Sequence, residues 1–188
     1  RCAGAGAGVA RPDPLMVAYH DDEGGVPCHD DVELFERLAL ESFQAGLSWA
    51  TILRKRDAFR RAFHGFDPRV VAAFDDRDRE RLMADAGIVR NRAKIDATIG
   101  NATAFLDVVD AFGSFDAYLV TIIGLPPRRQ PPTAGIGDIP ASSADSDSLS
   151  RDLRAWNSSV TRGAALYSFM QSVGLVDDHL PGCFRYRG

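Results

Sequence analysis

The sequence predicts an all-α chain. Apolar side chains recur at three- and four-residue spacing through most of its length. No run alternates apolar and polar residues as a half-buried strand does. Asp, Ser, Asn and Gly stand where helices would begin and end. With 188 residues and 45% hydrophobic content the chain can build one sizeable core, so a single domain over residues 1–188 is expected.

Asp30 can cap a helix from Asp31 to about Ser42, with Asp31 and Glu33 at the positive end of its dipole. Gly46 interrupts the pattern, and Ser48 can cap a second helix, about Trp49 to Phe63. Trp49, Ile52, Leu53, Phe59 and Phe63 form its apolar stripe. A short helix opens after Asp67 with Pro68 at its first position. Arg77 to Ala86 reads as another, ended by Gly87. A long helix follows, about Asn91 to Phe112, stopped by Gly113, and Ser114 can cap Phe115 to Ile123. Residues 124–148 are rich in Pro, Gly and Ser and read as an irregular connection. Asp147 to Ala155 and Gly163 to Val173 are helical in pattern, and the tail from Asp177 is irregular. There is no internal repeat and no Rossmann or P-loop glycine pattern.

The bulk properties exclude some classes. No run of about 18 apolar residues exists, so no membrane span is expected. The opening RCAGAGAGVARPDP has no apolar stretch of signal-peptide length, and three Cys residues do not make a disulfide framework. A cytoplasmic protein is expected. The net charge of −4 does not advertise a nucleic-acid binder. Charge is nevertheless local: Arg54, Lys55, Arg56, Arg60 and Arg61 share one helix, and Arg90, Arg92 and Lys94 form a second cluster. Each alone reads as a solvated face; the two together point toward phosphate contacts.

Three features could carry chemistry. The first is Glu41. The stripe Leu34, Phe35, Leu38 continues to Glu41, Ser42 and Ala45, which places a carboxylate where a core-facing helix should be apolar. Tyr19, Gln44, Trp49 and Tyr167 form a candidate aromatic and polar set around it; a Trp that is simply core is the ordinary alternative. The second is DAGIVRNRAKI, a helix–turn–helix with Gly87 in the turn, where backbone N–H groups could meet a phosphate; an ordinary α-hairpin is the alternative. The third is Cys2, His20, His179 and Cys183, a two-Cys, two-His set that suits tetrahedral zinc, although the pairs lie far apart in sequence and free thiols with surface imidazoles would read the same. Cys28 with His29 is a competing local pair, taken as a bystander.

The blocks DPLMVAYHDDEGGVP, LFERLALESFQAGLSWATILRKRDAFRRAF, FDPRVVAAF, LMADAGIVRNRAKIDATIGNA and LYSFMQSVGLVDDHLPGCF together resemble the DNA-3-methyladenine glycosylase I family, in order and over most of the chain. The resemblance implies an all-α helix-hairpin-helix DNA glycosylase fold, with a structural zinc site joining the N- and C-terminal segments. Residues 1–29 and 175–188 would pack together around zinc held by Cys2, His20, His179 and Cys183, and the hairpin would span about 77–112. Glu41 would be catalytic, with Trp49, Tyr19 and Met16 on the base. Leu47 would wedge into the duplex, and Gly87, Arg90, Arg92 and Lys94 would contact DNA. The implied partner is double-stranded DNA carrying alkylated bases, bound by a monomer. The implied activity is monofunctional hydrolysis of the N-glycosidic bond of 3-methyladenine after base flipping, since no Lys stands near Glu41 in the motif as a Schiff-base nucleophile.

The chain departs from the family pattern at several aromatic positions. Ala3-Gly4 replaces an early Trp, Met16 a Tyr, Gly24 a Trp and Val120 a Trp, and the block from Trp156 to Ala164 is altered. Aromatic stacking is worth ~1–3 kcal/mol per base, so lost walls bear directly on binding. The alternative is an impaired or respecialised member that binds DNA or excises a different alkylated purine.

Overall fold

The computed structural model describes residues 1–2, 12–125, 127–129, 135–159 and 163–187. The small-residue stretch 3–11, the proline-rich part of the long connection at 130–134 and residues 160–162 of the altered block lie outside the described residues.

Side-chain caps organise the chain, those at Asp30, Ser48, Asp67 and Ser114 as expected from sequence. With Asp13 and Asn91, each accepts a hydrogen bond from a backbone N–H in the first turn of the helix that follows. The helices are α1 (Pro14–Ala18), α2 (Asp31–Gln44), α3 (Trp49–Ala62), α4 (Pro68–Ala72), α5 (Asp76–Ala84), α6 (Arg92–Phe112), α7 (Phe115–Ile123), α8 (Ala144–Ala155) and α9 (Gly163–Ser172). Two-residue strands β1 (Arg128–Arg129) and β2 (Val176–Asp177) pair in parallel.

Three differences from the sequence reading have local causes. The helix α1 was not read, since five residues show no periodicity; Asp13 caps it and Pro14 pre-sets its first dihedral. It continues into a π-type turn, Tyr19–Glu23, closed by Gly24 N–H to the Tyr19 carbonyl at 2.7 Å. The helix α5 stops before Gly87 because Asp85 is already extended, at φ −78° and ψ 106°. And α8 starts within the stretch read as irregular, because Ser143 and Ser146 form a capping box.

Helix α2 is central, packing on α3, α6, α7 and α9. Its buried face carries Leu34, Phe35, Leu38 and Phe43. Phe35 leads one train of rings through Phe105 (5.3 Å) to Phe115, which stacks on Phe105 at 4.2 Å. Phe43 leads another through Phe59 (4.7 Å) to Phe63 and Phe66. The site therefore stands on a helix locked from both sides by aromatic packing. Among the described residues no helix is long and apolar enough to cross a membrane.

One glycine draws the N-terminal segment onto the end of α9. Gly174 has φ +78°, and a Cβ there would fall 2.8 Å from the backbone nitrogen of Pro27. Left-handed backbone costs an L-residue roughly 1–2 kcal/mol and overpacking roughly 1–3 more. We expect Gly174→Ala to lower the unfolding free energy by about 2–5 kcal/mol, read by urea denaturation.

Candidate functional site

Glu41 sits on the last full turn of α2, where the core ends and a cavity begins. The cavity is about 320 Å³ and is lined in part by Met16, Tyr19, Gly24, Glu41, Gln44 and Trp49. Glu41 is only 6% exposed, and its Oε2 is buried with no hydrogen-bond partner. The indole Nε1 of Trp49 is likewise buried and unpartnered. A buried orphan acceptor and a buried orphan donor on one cavity are costly in a protein that never fills it. Desolvation pushes the Glu41 carboxyl up to about 8, against the pull of the Arg37 guanidinium.

The aromatic wall comes from the π-type turn and from the start of α3. The Tyr19 and Trp49 rings are 5.2 Å apart and inclined by 59°. Burial, and then the Glu41 carboxylate, hold the Tyr19 hydroxyl protonated far above its usual range. Gly24 closes beneath Tyr19; a Cβ there would lie 3.1 Å from the Tyr19 ring. Tyr167, grouped with this set on sequence, does not line the cavity: it is buried in the core and its hydroxyl donates to Asp178. Gln171 lines the opposite side from α9 and donates to Asp178. Sequence reasoning missed that wall, because its residues follow the Glu41 block by more than a hundred positions.

Sequence reasoning also missed Arg37, one turn before Glu41. The signal was present, since a basic residue four positions from a buried acid on one helix face is its natural counter-charge. Its guanidinium donates to the Ser172 carbonyl at 2.8 Å and lies 3.9 Å from both Glu23 and Glu33. Glu23 in turn takes Arg56, which also binds the buried Glu36 at 2.6 Å, and Arg60 completes the network.

That network corrects the reading of the first basic cluster as a phosphate face. Arg54 pairs with Asp13, Arg56 and Arg60 with internal carboxylates, and Lys55 with backbone carbonyls of the hairpin. The second cluster divides. Arg90 is exposed with no partner among the described residues. Arg92 pairs with Asp96 at 3.1 Å. Lys94 turns inward, its ammonium donating to the carbonyls of Phe43 at 2.9 Å and Ala45 at 2.6 Å. Backbone carbonyls have no signature in a charge pattern, which is why these lysines read as free. Gly87 packs where expected, in the turn: a Cβ would meet Asp85 Oδ1 at 2.9 Å and the Ala58 Cβ at 3.0 Å. Leu47 stands 40% exposed in the turn between α2 and α3.

The π-type turn also carries His20, which borders the same cavity beside Cys2 and His179 and belongs to a second cluster. The donor atoms of Cys2, His20, His179 and Cys183 all lie within 4.8 Å of one another. Cys2 Sγ is 3.5 Å from His179 Nδ1, and Cys183 Sγ is 3.4 Å from His20 Nε2 and 3.7 Å from His179 Nδ1. A tetrahedral ion with Zn–S near 2.3 Å and Zn–N near 2.0–2.1 Å needs a sulfur-to-nitrogen edge of about 3.6 Å. The donor set therefore fits a metal ion by softness, number and spacing. His20 Nδ1 is backed by Asp21 at 2.9 Å, the outer carboxylate that orients such a ligand. Asp21 is itself held down to about 2, first by Arg1 and then by His20. Cys28 takes no part: its thiol donates to Glu33 and burial pushes it up to about 11, while His29 pairs with Asp116.

Known proteins share this arrangement of chain. The sequence matches the profile of the methyladenine glycosylase family over residues 9–186. It is 45% identical over 181 residues to DNA-3-methyladenine glycosylase 1 of Escherichia coli K12, covering 96% of each chain. It is 37% identical to the DNA-3-methyladenine glycosylase of Haemophilus influenzae, covering 90% of this chain and 91% of that one. Among solved structures it superposes with a TM-score of 0.88 on Staphylococcus aureus 3-methyladenine DNA glycosylase I, a structure of 3-methyladenine recognition, at 34% identity and covering 98% and 97% of the two chains. Carried by a match that runs nearly end to end, the chain belongs to the methyladenine glycosylase family.

Proposed function

We infer that this protein is a base-excision DNA glycosylase that hydrolyses the N-glycosidic bond of 3-methyladenine in alkylated duplex DNA. One observation supports it above the others: a buried carboxylate with a free oxygen beside a stacked aromatic wall, in a chain of this family. The target base must leave the stack to reach such a pocket. Leu47 is suited to fill the gap it leaves, and the hairpin around Gly87, with Arg90, to hold the backbone.

The lesion is a cation in its nucleotide, and that selects it. Trp49 would stack on the purinium, with Tyr19 and Met16 closing the pocket. Glu41 would lose its proton as the cation arrives, and its carboxylate would then accept from the base edge. Neutral adenine offers no charge to offset a buried carboxylate. In the reaction the C1′–N9 bond breaks and its electron pair passes to the purinium, which departs as neutral 3-methyladenine. Water adds to C1′ and its proton goes to solvent. The base needs no protonation, so selection and burial are what the side chains supply. Zinc on Cys2, His20, His179 and Cys183 would supply a structural cross-link, as all four positions would be filled by protein.

Release of free base from methylated duplex tests this reading. Losing one charge-assisted hydrogen bond in a buried site costs about 1.5–3 kcal/mol, so Glu41→Gln should lower kcat/KM roughly 10- to 150-fold. The sign of the pH dependence follows from the raised carboxyl. Below about 8 the free protein holds Glu41 protonated, so kcat/KM should rise with pH and level off near 8. Glu41→Gln should give a flat profile; a flat wild-type profile would count against a carboxylate in selection. Stability should move the other way. The folded state binds the extra proton, so wild-type stability should fall as pH rises from 4.5 toward 8, and Glu41→Gln should remove that slope.

For the metal, the purified protein should carry about one zinc per chain. Cys183→Ser should lose most of it and lower the melting temperature, read by metal analysis beside calorimetry. A zinc-free wild type of the same stability would sink the cross-link.

A further inference from the structure

We propose that Lys55 and Lys94 are positioning residues that tie the hairpin to the turn carrying Leu47, so that backbone engagement at the hairpin and the shape of the pocket mouth become one structural event. The inference rests on the glycosylase reading above for its function and on the following geometry for its form.

The C-terminal carbonyls of a helix lack partners within it. Those of Phe43 and Ala45, at the end of α2, are both taken by the Lys94 ammonium. The backbone of Lys94 is itself fixed, its N–H donating to the cap Asn91 at 3.1 Å. From Ala45 the chain turns through Gly46 at φ +82°, and Leu47 N–H closes on the Gln44 carbonyl at 2.6 Å. The turn that presents Leu47 is therefore pinned at its root by a residue of the hairpin's second helix.

The reciprocal contact comes from α3. Lys55 stands six residues after Trp49, and its ammonium donates to the carbonyls of Ala86 and Gly87 at 3.0 Å and Ile88 at 3.5 Å. Three consecutive carbonyls on one donor hold that face of the hairpin turn inward. Gly87 allows the approach, since any Cβ would strike Ala58, on the same face of α3. A compact ammonium with three donors suits such a cradle better than a planar guanidinium. The contacts close a ring: Trp49 to Lys55 along α3, Lys55 to the hairpin, the hairpin to Lys94, Lys94 to the end of α2, and from there through Leu47 back to Trp49. Every link is a hydrogen bond or a covalent stretch of a few residues. A load at the hairpin thus has a short path to the pocket wall.

The test uses the full chain, undamaged duplex DNA, free 3-methyladenine and methylated duplex. In the wild type, duplex should slow amide exchange at residues 45–48 roughly fivefold or more. Lys55→Met and Lys94→Met should abolish that protection. Each should lower single-turnover base release roughly tenfold or more while affinity for free 3-methyladenine stays within about twofold. Lys55→Gln and Lys94→Gln, which keep a donor, serve if the methionine variants do not fold. Unchanged exchange at 45–48 when wild type binds duplex would overturn the proposal. So would a parallel loss of free-base affinity, base release and melting temperature in the variants, which marks residues that only support the fold. If the wild type releases no base yet shows the protection, and the variants lose it, the coupling stands and the glycosylase reading fails.

Discussion

The rest of the structure answers to one constraint: a carboxylate must be kept in an almost dry wall without unfolding the protein around it. Glu41 is buried at the end of a core helix, and one of its oxygens has no partner. Among the described residues, the charge that eases its ionisation is Arg37, one turn back on the same helix. Arg37 is itself buried, so it too needs balance, which it takes from the Ser172 carbonyl on α9 and from Glu23 in the π-type turn. Glu23 draws in Arg56, and Arg56 draws in Glu36. One buried acid thus recruits a chain of alternating charges that fastens α3, α9 and the N-terminal turn around the cavity. Removing Arg37 would leave Glu41 buried without that counter-charge, which costs far more than an exposed ion pair contributes.

That turn does two jobs with adjacent residues. Tyr19 faces Trp49 across the pocket, and His20 faces Cys183 and lies against His179. An α-helix would set neighbours about 100° apart on its surface; the extra residue of a π-type turn is the local means by which both side chains reach their sites. The Cys and His set that could hold a metal and the pocket wall thus share one turn, through Tyr19 and His20.

Much of this was legible in the sequence, and the parts that were not share a physical cause. The caps Asp30, Ser48 and Ser114 announce their helices, because capping depends on one side chain and its nearest N–H groups. Glu41 announced itself by breaking an apolar stripe, and the two-Cys, two-His set by its chemistry. The N-terminal helix was silent because five residues cannot display a period. The parallel pairing of Arg128 with Val176 was silent because a two-residue ladder has no alternation to read. The basic clusters were misread for a different reason. Arg54, Arg56 and Arg60 meet carboxylates distant in sequence, while Lys55 and Lys94 meet backbone carbonyls, which every residue possesses and no pattern marks.

The internal use of those cations bears on how lesions are found. Affinity for duplex comes mostly from neutralised phosphates, with log K falling by about 0.9 per contact for each decade of salt. Here Arg54, Lys55, Arg56, Arg60, Arg92 and Lys94 already have partners inside the protein, and Arg61 and Arg90 extend to solvent without one among the described residues. With a net charge of −4, these two clusters leave little free positive charge to meet phosphates. A weak grip suits a protein that must discard a great excess of normal bases, because each wrong encounter ends quickly. On the proposed reading, discrimination falls to the pocket, where the carboxylate would ionise only against a cation. The same cations are spent on carbonyls and buried acids around that pocket. Positive charge is thus used in this fold less to hold DNA than to hold the site that reads it.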